Sequence, residues 1–119
     1  MIPCEHTCGK CEDLIPDYID MGVGHWHSAQ CMNDLAGIAK KYQGKLTIEG
    51  GWDTSGRPGM IECTADEARA EVRRCVEEYG QYGNFVLLPI LVNERGHSLY
   101  VPDDRMPAVF DEWEKCRML

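Results

Sequence analysis

The chain has 119 residues, enough for one domain with a core but far short of the ~250 residues of a complete eight-stranded α/β barrel. Twenty acidic against twelve basic residues leave a formal charge of −8 with no basic run, which argues against nucleic acid or an anionic membrane as a partner. No apolar run reaches the ~20 residues of a membrane span and no leader pattern opens the chain, so a cytoplasmic location is expected.

Seven cysteines, odd in number and unevenly clustered, read as reduced thiols rather than a disulfide framework. Ile2 to His6 reads as a short first strand. Leu14, Ile15, Tyr18 and Ile19 then recur at helical spacing, with Asp13 as cap, Pro16 in the first turn, and Gly22 and Gly24 as terminators. His25 to Gln30 reads as a second strand, weak in propensity but correctly placed between two helices. Asn33 opens a second helix with Leu35, Ile38, Ala39 and Tyr42 inward, and Gly44 stops it. Lys45 to Gly50 is a third strand with Leu46 and Ile48 on one face. It runs into Gly50-Gly51-Trp52-Asp53, where paired glycines signal the close approach of a backbone or a ligand.

The longest loop, Thr54 to Glu62, is expected to be mobile or to act as a flap. Thr64-Ala65-Asp66-Glu67 has the form of a capping box, and Ala68, Val72, Cys75, Val76 and Tyr79 continue it as one apolar stripe, so Cys63 and Cys75 are expected to pack. Gly80 and Gly83 end that helix. Phe85 to Ile90 is an uninterrupted apolar run, as in a parallel strand buried on both faces. Asn93 to Pro102 reads as a polar loop containing Gly96-His97-Ser98. A last helix follows, capped by Asp103 or Asp104, with Met106, Val109, Phe110 and Trp113 inward.

The order β-α-β-α-β-α-β-α predicts an α/β fold with a parallel sheet and right-handed crossovers. Ligands of such folds bind at the carboxyl ends of the strands, and the unusual residues fall there: His6 and Cys8, then Gln30, then Glu49 to Asp53, then Asn93 to His97. Each also has an ordinary reading, with Gln30 satisfying backbone, Asp53 capping a turn, Glu49 solvated and His97 in a loop. The densest chemistry is Cys4-Glu5-His6-Thr7-Cys8-Gly9-Lys10-Cys11. In an extended segment Cys4, His6 and Cys8 share a face and form a soft-donor set suited to zinc. His25 and His27 sit at the start and middle of their strand, where packing or surface roles are expected.

Taken in order, His6-Thr7-Cys8-Gly9, Leu14-Ile15-Pro16-Asp17-Tyr18-Ile19-Asp20-Met21-Gly22-Val23, Ala29-Gln30, Gly50-Gly51-Trp52-Asp53, the Thr64 box with Glu71-Val72-Arg73-Arg74, and Gly96-His97 are similar to the C-terminal part of the uroporphyrinogen decarboxylase superfamily. That superfamily comprises the decarboxylases of haem synthesis and zinc methyltransferases that move methyl groups between corrinoid proteins and thiols. The resemblance implies a TIM-type (β/α) barrel of which residues 1–119 supply the second half, about four βα units.

The resemblance implies His6 and Cys8 as zinc ligands, Asp53 and His97 as catalytic residues, and Gln30, Gly51 and His97 as substrate contacts. The third ligand of the methyltransferases, a cysteine after the last strand, has no counterpart, because Leu88-Pro89 is followed by Ile90-Leu91-Val92-Asn93. Cys4, Cys11, Cys63, Glu49 or the other barrel half would have to supply it. The leading expectation is a segment of a zinc-dependent corrinoid:thiol methyltransferase. The alternatives are uroporphyrinogen decarboxylase itself, a metal-free lyase with His97 central, or a non-catalytic half-barrel binding metal or a tetrapyrrole. Unpaired sheet edges imply a partner, either the N-terminal barrel half or a second copy, with a corrinoid protein as a further partner. The chain alone is expected to be inactive and prone to aggregate.

Overall fold

Four strands and three helices alternate through the first three quarters of the chain, in a computed structural model that describes residues 1–93, 96–98 and 103–117, with the backbone alone at 96–98. The elements are β1 (Cys4–His6), α1 (Ile15–Asp20), β2 (His25–Ala29), α2 (Leu35–Lys41), β3 (Thr47–Gly51), α3 (Ala65–Tyr79) and β4 (Phe85–Leu88). A hairpin, β5 (Leu91–Asn93) and β6 (Gly96–Ser98), and a last helix, α4 (Arg105–Arg117), follow. The main sheet is parallel throughout, in the spatial order β1-β2-β3-β4. Strands laid down in sequence order by crossovers of one hand place every connecting helix on the same face.

Burial bears this out. Trp26 and Ile48 point to one face and are fully enclosed with Ile15 and Tyr18 of α1, Leu35 and Ile38 of α2, and Cys75 and Tyr79 of α3. The intervening residues His25, His27, Thr47 and Glu49 point to the other face and are only half-buried. No helix among the described residues covers that side. A second cluster joins Trp52, Cys63, Val72, Leu91, Met106 and Val109, and fastens the hairpin and α4 to α3. No helix among the described residues is long and apolar enough to cross a membrane.

The Thr64 capping box is formed in both directions, with Glu67 N–H donating to Thr64 Oγ1 at 3.2 Å and Thr64 N–H to Glu67 at 2.8 Å. Pro16 lies in the first turn of α1, and Cys63 and Cys75 are buried as packing residues. Other expectations need correction. β4 is not buried on both faces: Val86 is 41 % exposed, because among the described residues β4 pairs with β3 alone and no helix lies over its outer side. Of the Asn93 to Pro102 stretch expected as a polar loop, Asn93 and residues 96–98 lie in strands, with β5 and β6 paired antiparallel and Leu91 opposite Ser98, and the rest lies outside the described residues. Phe110 faces outward, and Glu112 takes the buried place beside it because Arg73 of α3 reaches it at 2.7 Å. The loop from Thr54 to Glu62 makes several hydrogen bonds to its surroundings. Trp52 Nε1 donates to Pro58 O at 3.1 Å, and Arg57 pairs with Glu67 at 3.0 Å while also holding Glu62 O.

Candidate functional site on the open sheet face

Register brings together what the sequence separates by about twenty positions. His6 lies opposite His27 and His27 opposite Glu49, so three neighbouring strands contribute one row of polar side chains to the open face. Side chains alternate across a strand, so His25 shares this face with His27. Short contacts join Cys8 to His6, His6 to His27 and His25 to Glu49, and the two groups meet across a longer gap between His27 and Glu49. Cys8 Sγ lies 3.4 Å from His6 Nε2, and His6 Nδ1 lies 2.6 Å from His27 Nδ1. His27 Nε2 is 4.0 Å from Glu49 Oε1, and the other carboxylate oxygen, Oε2, takes a 2.6 Å contact from His25 Nε2. His25 and His27, assigned to packing or surface roles on position alone, are therefore members of the cluster. Their two-residue spacing on a strand beside His6 was the signal available.

The loop that carries Cys8 is fixed from beneath. Trp26 donates its indole N–H to Thr7 O at 3.1 Å, and Gln30 Oε1 accepts Gly9 N–H at 2.7 Å. Asn33, expected to open α2, is instead buried and bonded four times: it accepts from Cys11 N–H and Glu12 N–H and donates to Gly9 O and Gln30 O. Asp34 takes the capping position, accepting from Gly37 N–H. Gln30 thus satisfies backbone, and in doing so holds the residue next to Cys8.

β2 is also distorted here. Its pairing with β3 slips between His27 and Ala29, and Ser28 adopts φ 68°, the left-handed region. A non-glycine residue costs about 1–2 kcal/mol there. The bulge turns Ser28 Oγ to 3.3 Å from Cys8 Sγ. Bulges of this kind recur beside active sites, where they re-aim a side chain. Gly50 adapts β3 to the bulge. It sits at φ 154°, and a Cβ there would lie 2.1 Å from Ala29 O. The paired glycines do mark a close backbone approach.

The His6–Cys8 contact is a thiol–imidazole hydrogen bond whose length is also close to the separation of two zinc ligands. Zn–S and Zn–N bonds of about 2.3 and 2.0–2.1 Å at a tetrahedral angle separate donor atoms by about 3.5 Å, against the 3.4 Å found. Among the described residues no three His, Cys, Asp or Glu side chains form a group able to hold a metal. The reason is visible at His6, whose two neighbours, Cys8 and His27, face opposite ring nitrogens, so one ion cannot touch all three. Cys11 and Cys63 are buried in the two core clusters and are not candidates for the third ligand. Cys4 is exposed, two residues before His6 on the same strand.

The end of β3 has a different character. Gly51 O accepts from Cys31 Sγ at 3.0 Å, Cys75 Sγ at 3.3 Å and Arg74 Nη2 at 2.8 Å. Arg74 is further held by Glu71, Glu78 and Tyr79 Oη, and the Glu71 hydrogen bonds push its pKa above the ordinary arginine value. Burial drives the Cys75 thiol and the Tyr79 hydroxyl upward, and raises Cys31 despite the nearby Arg74 charge. Asp53 borders a cleft of about 420 Å3 here. Its Oδ1 is occupied by Ser55 N–H, Ser55 Oγ–H and Gly56 N–H, which is the turn-capping role. Gly51 contributes its carbonyl to this network and not to the open face. His97 pairs with Val92 through the backbone, and its side chain lies outside the described residues.

The chain matches no family model, no curated protein and no solved structure.

Proposed function

We propose that this chain is the zinc-bearing part of a barrel enzyme similar to the corrinoid:thiol methyltransferases of the uroporphyrinogen decarboxylase superfamily, with His6 and Cys8 as ligands and a substrate thiol as their client. The observation that carries the reading is the 3.4 Å separation of His6 Nε2 and Cys8 Sγ on the open face, at the carboxyl end of a strand in a sequentially ordered parallel sheet. Parallel (β/α) barrels keep their chemistry at that end. Zinc held there lowers the pKa of a bound thiol and so presents a thiolate at neutral pH.

Two protein ligands leave the site incomplete. No third described side chain groups with them, so on this reading the remainder comes from residues outside this chain. β1 and β4 each pair on one side only among the described residues, and strands of the complementary barrel half joining at those edges would enclose the open face. Gln30 and Asn33 hold the ligand loop, and Ser28 stands beside Cys8 as a hydrogen-bond partner. Elemental analysis of the purified chain tests the reading. Bound zinc that is lost in His6→Ala and in Cys8→Ser is the expected result. Zinc absent from the wild type, or unchanged in both variants, overturns it.

A further inference from the structure

His6 faces Cys8 with one ring nitrogen and His27 with the other, so the proton on its ring has two places to be. Contact between His6 Nδ1 and His27 Nδ1 at 2.6 Å requires one of the two to donate and the other to accept. Glu49 decides which. If His27 carried its proton on Nδ1, its Nε2 lone pair would face the Glu49 carboxylate at 4.0 Å, two negative ends opposed. With the proton on Nε2, the N–H dipole faces the carboxylate across that 4.0 Å, an attraction beyond hydrogen-bond reach, and Nδ1 is left as the acceptor. His6 must then donate from Nδ1, and its Nε2 lone pair is turned to Cys8 Sγ, 3.4 Å away.

We infer that Glu49 and His27 are positioning residues that lock His6 in the Nδ1–H tautomer and so keep the Nε2 lone pair aimed at the Cys8 thiol. A free histidine side chain prefers the opposite tautomer, so this orientation has to be imposed. Metal-bound histidines commonly have the remaining ring N–H held by a carboxylate or carbonyl. Here the carboxylate acts through a second imidazole. His25, on the other oxygen of Glu49 at 2.6 Å, holds that carboxylate in place. The consequence for metal affinity rests on the proposed ligand roles of His6 and Cys8, whereas the tautomer itself does not.

The test is a long-range proton–nitrogen correlation spectrum of the metal-free, 15N-histidine-labelled chain at about pH 8.5, above the ordinary imidazole range. The expected pattern has His6 protonated on Nδ1 and His27 on Nε2. In His27→Phe, and in Glu49→Leu as an independent variant should the first not fold, the His6 proton moves to Nε2. Zinc alone is then titrated into each chain, with an expected loss of about 10–100-fold in affinity in both variants. His6 protonated on Nε2 in the wild type overturns the inference, and with zinc still bound it leaves the proposed function intact. The expected tautomers in a chain that does not bind zinc sustain the inference and remove the proposed function.

Discussion

The two faces of the parallel sheet are built from alternate residues of the same strands and follow opposite rules. On the helix side Trp26 and Ile48 are enclosed by three helices, and the indole N–H is satisfied by a loop carbonyl. On the open side His6 pairs with His27 and His25 with Glu49; His6 is exposed, the other three are half-buried, and a bulge and a left-handed serine lie beside them. The first face stores the stability of the fold. The second carries a local backbone cost with no packing return, which is the pattern expected where structure is shaped for chemistry.

The contrast can be broken most sharply at Trp26. Trp26→Ala empties the centre of the helix side and is expected to cost about 3–5 kcal/mol, enough to unfold a marginal domain. His27→Phe, at the neighbouring position on the opposite face, is expected to stay within about 0.5 kcal/mol of wild type. Urea unfolding of the two variants makes the comparison, and equal losses would show that the open face also bears the fold.

Gly50→Ala comes next. The added Cβ would meet the Ala29 backbone, at a φ that side chains rarely adopt, for an expected cost of about 3 kcal/mol in the same assay. A near-neutral result would mean that the bulge is not held against β3. The smallest effect has the opposite sign. Ser28→Gly relieves the left-handed residue and removes the hydroxyl beside Cys8, so it is expected to stabilise by about 1 kcal/mol while weakening zinc binding. Loss of stability there would mean that the serine hydroxyl supports the fold rather than the site.

The helix side was legible in the sequence because packing has a period. The α3 stripe with its Thr64 box, and the Leu46 and Ile48 alternation, each state which residues face inward. The open face was legible only in part. His6 and Cys8 are close in sequence and announce themselves, but His27 and Glu49 join them through strand register, which no local pattern contains. Asn33 was misjudged for a related reason. An Asn before an apolar helix resembles a cap, and its three bonds to the Cys8 loop exist only once β1 and β2 are side by side. Phe110 was placed inward by spacing alone, and the Arg73–Glu112 pair between α3 and α4 changed which residue of that helix is buried.

His6 and Cys8 are proposed to act together as a metal-binding pair on the open face. Cobalt(II) added to the purified chain in place of zinc tests it most directly, since a thiolate ligand produces a near-ultraviolet charge-transfer band. The expected band disappears in Cys8→Ser and in His6→Ala and persists in Cys11→Ser, whose thiol is buried in the core. A band that survives Cys8→Ser, or no band in the wild type, would contradict it.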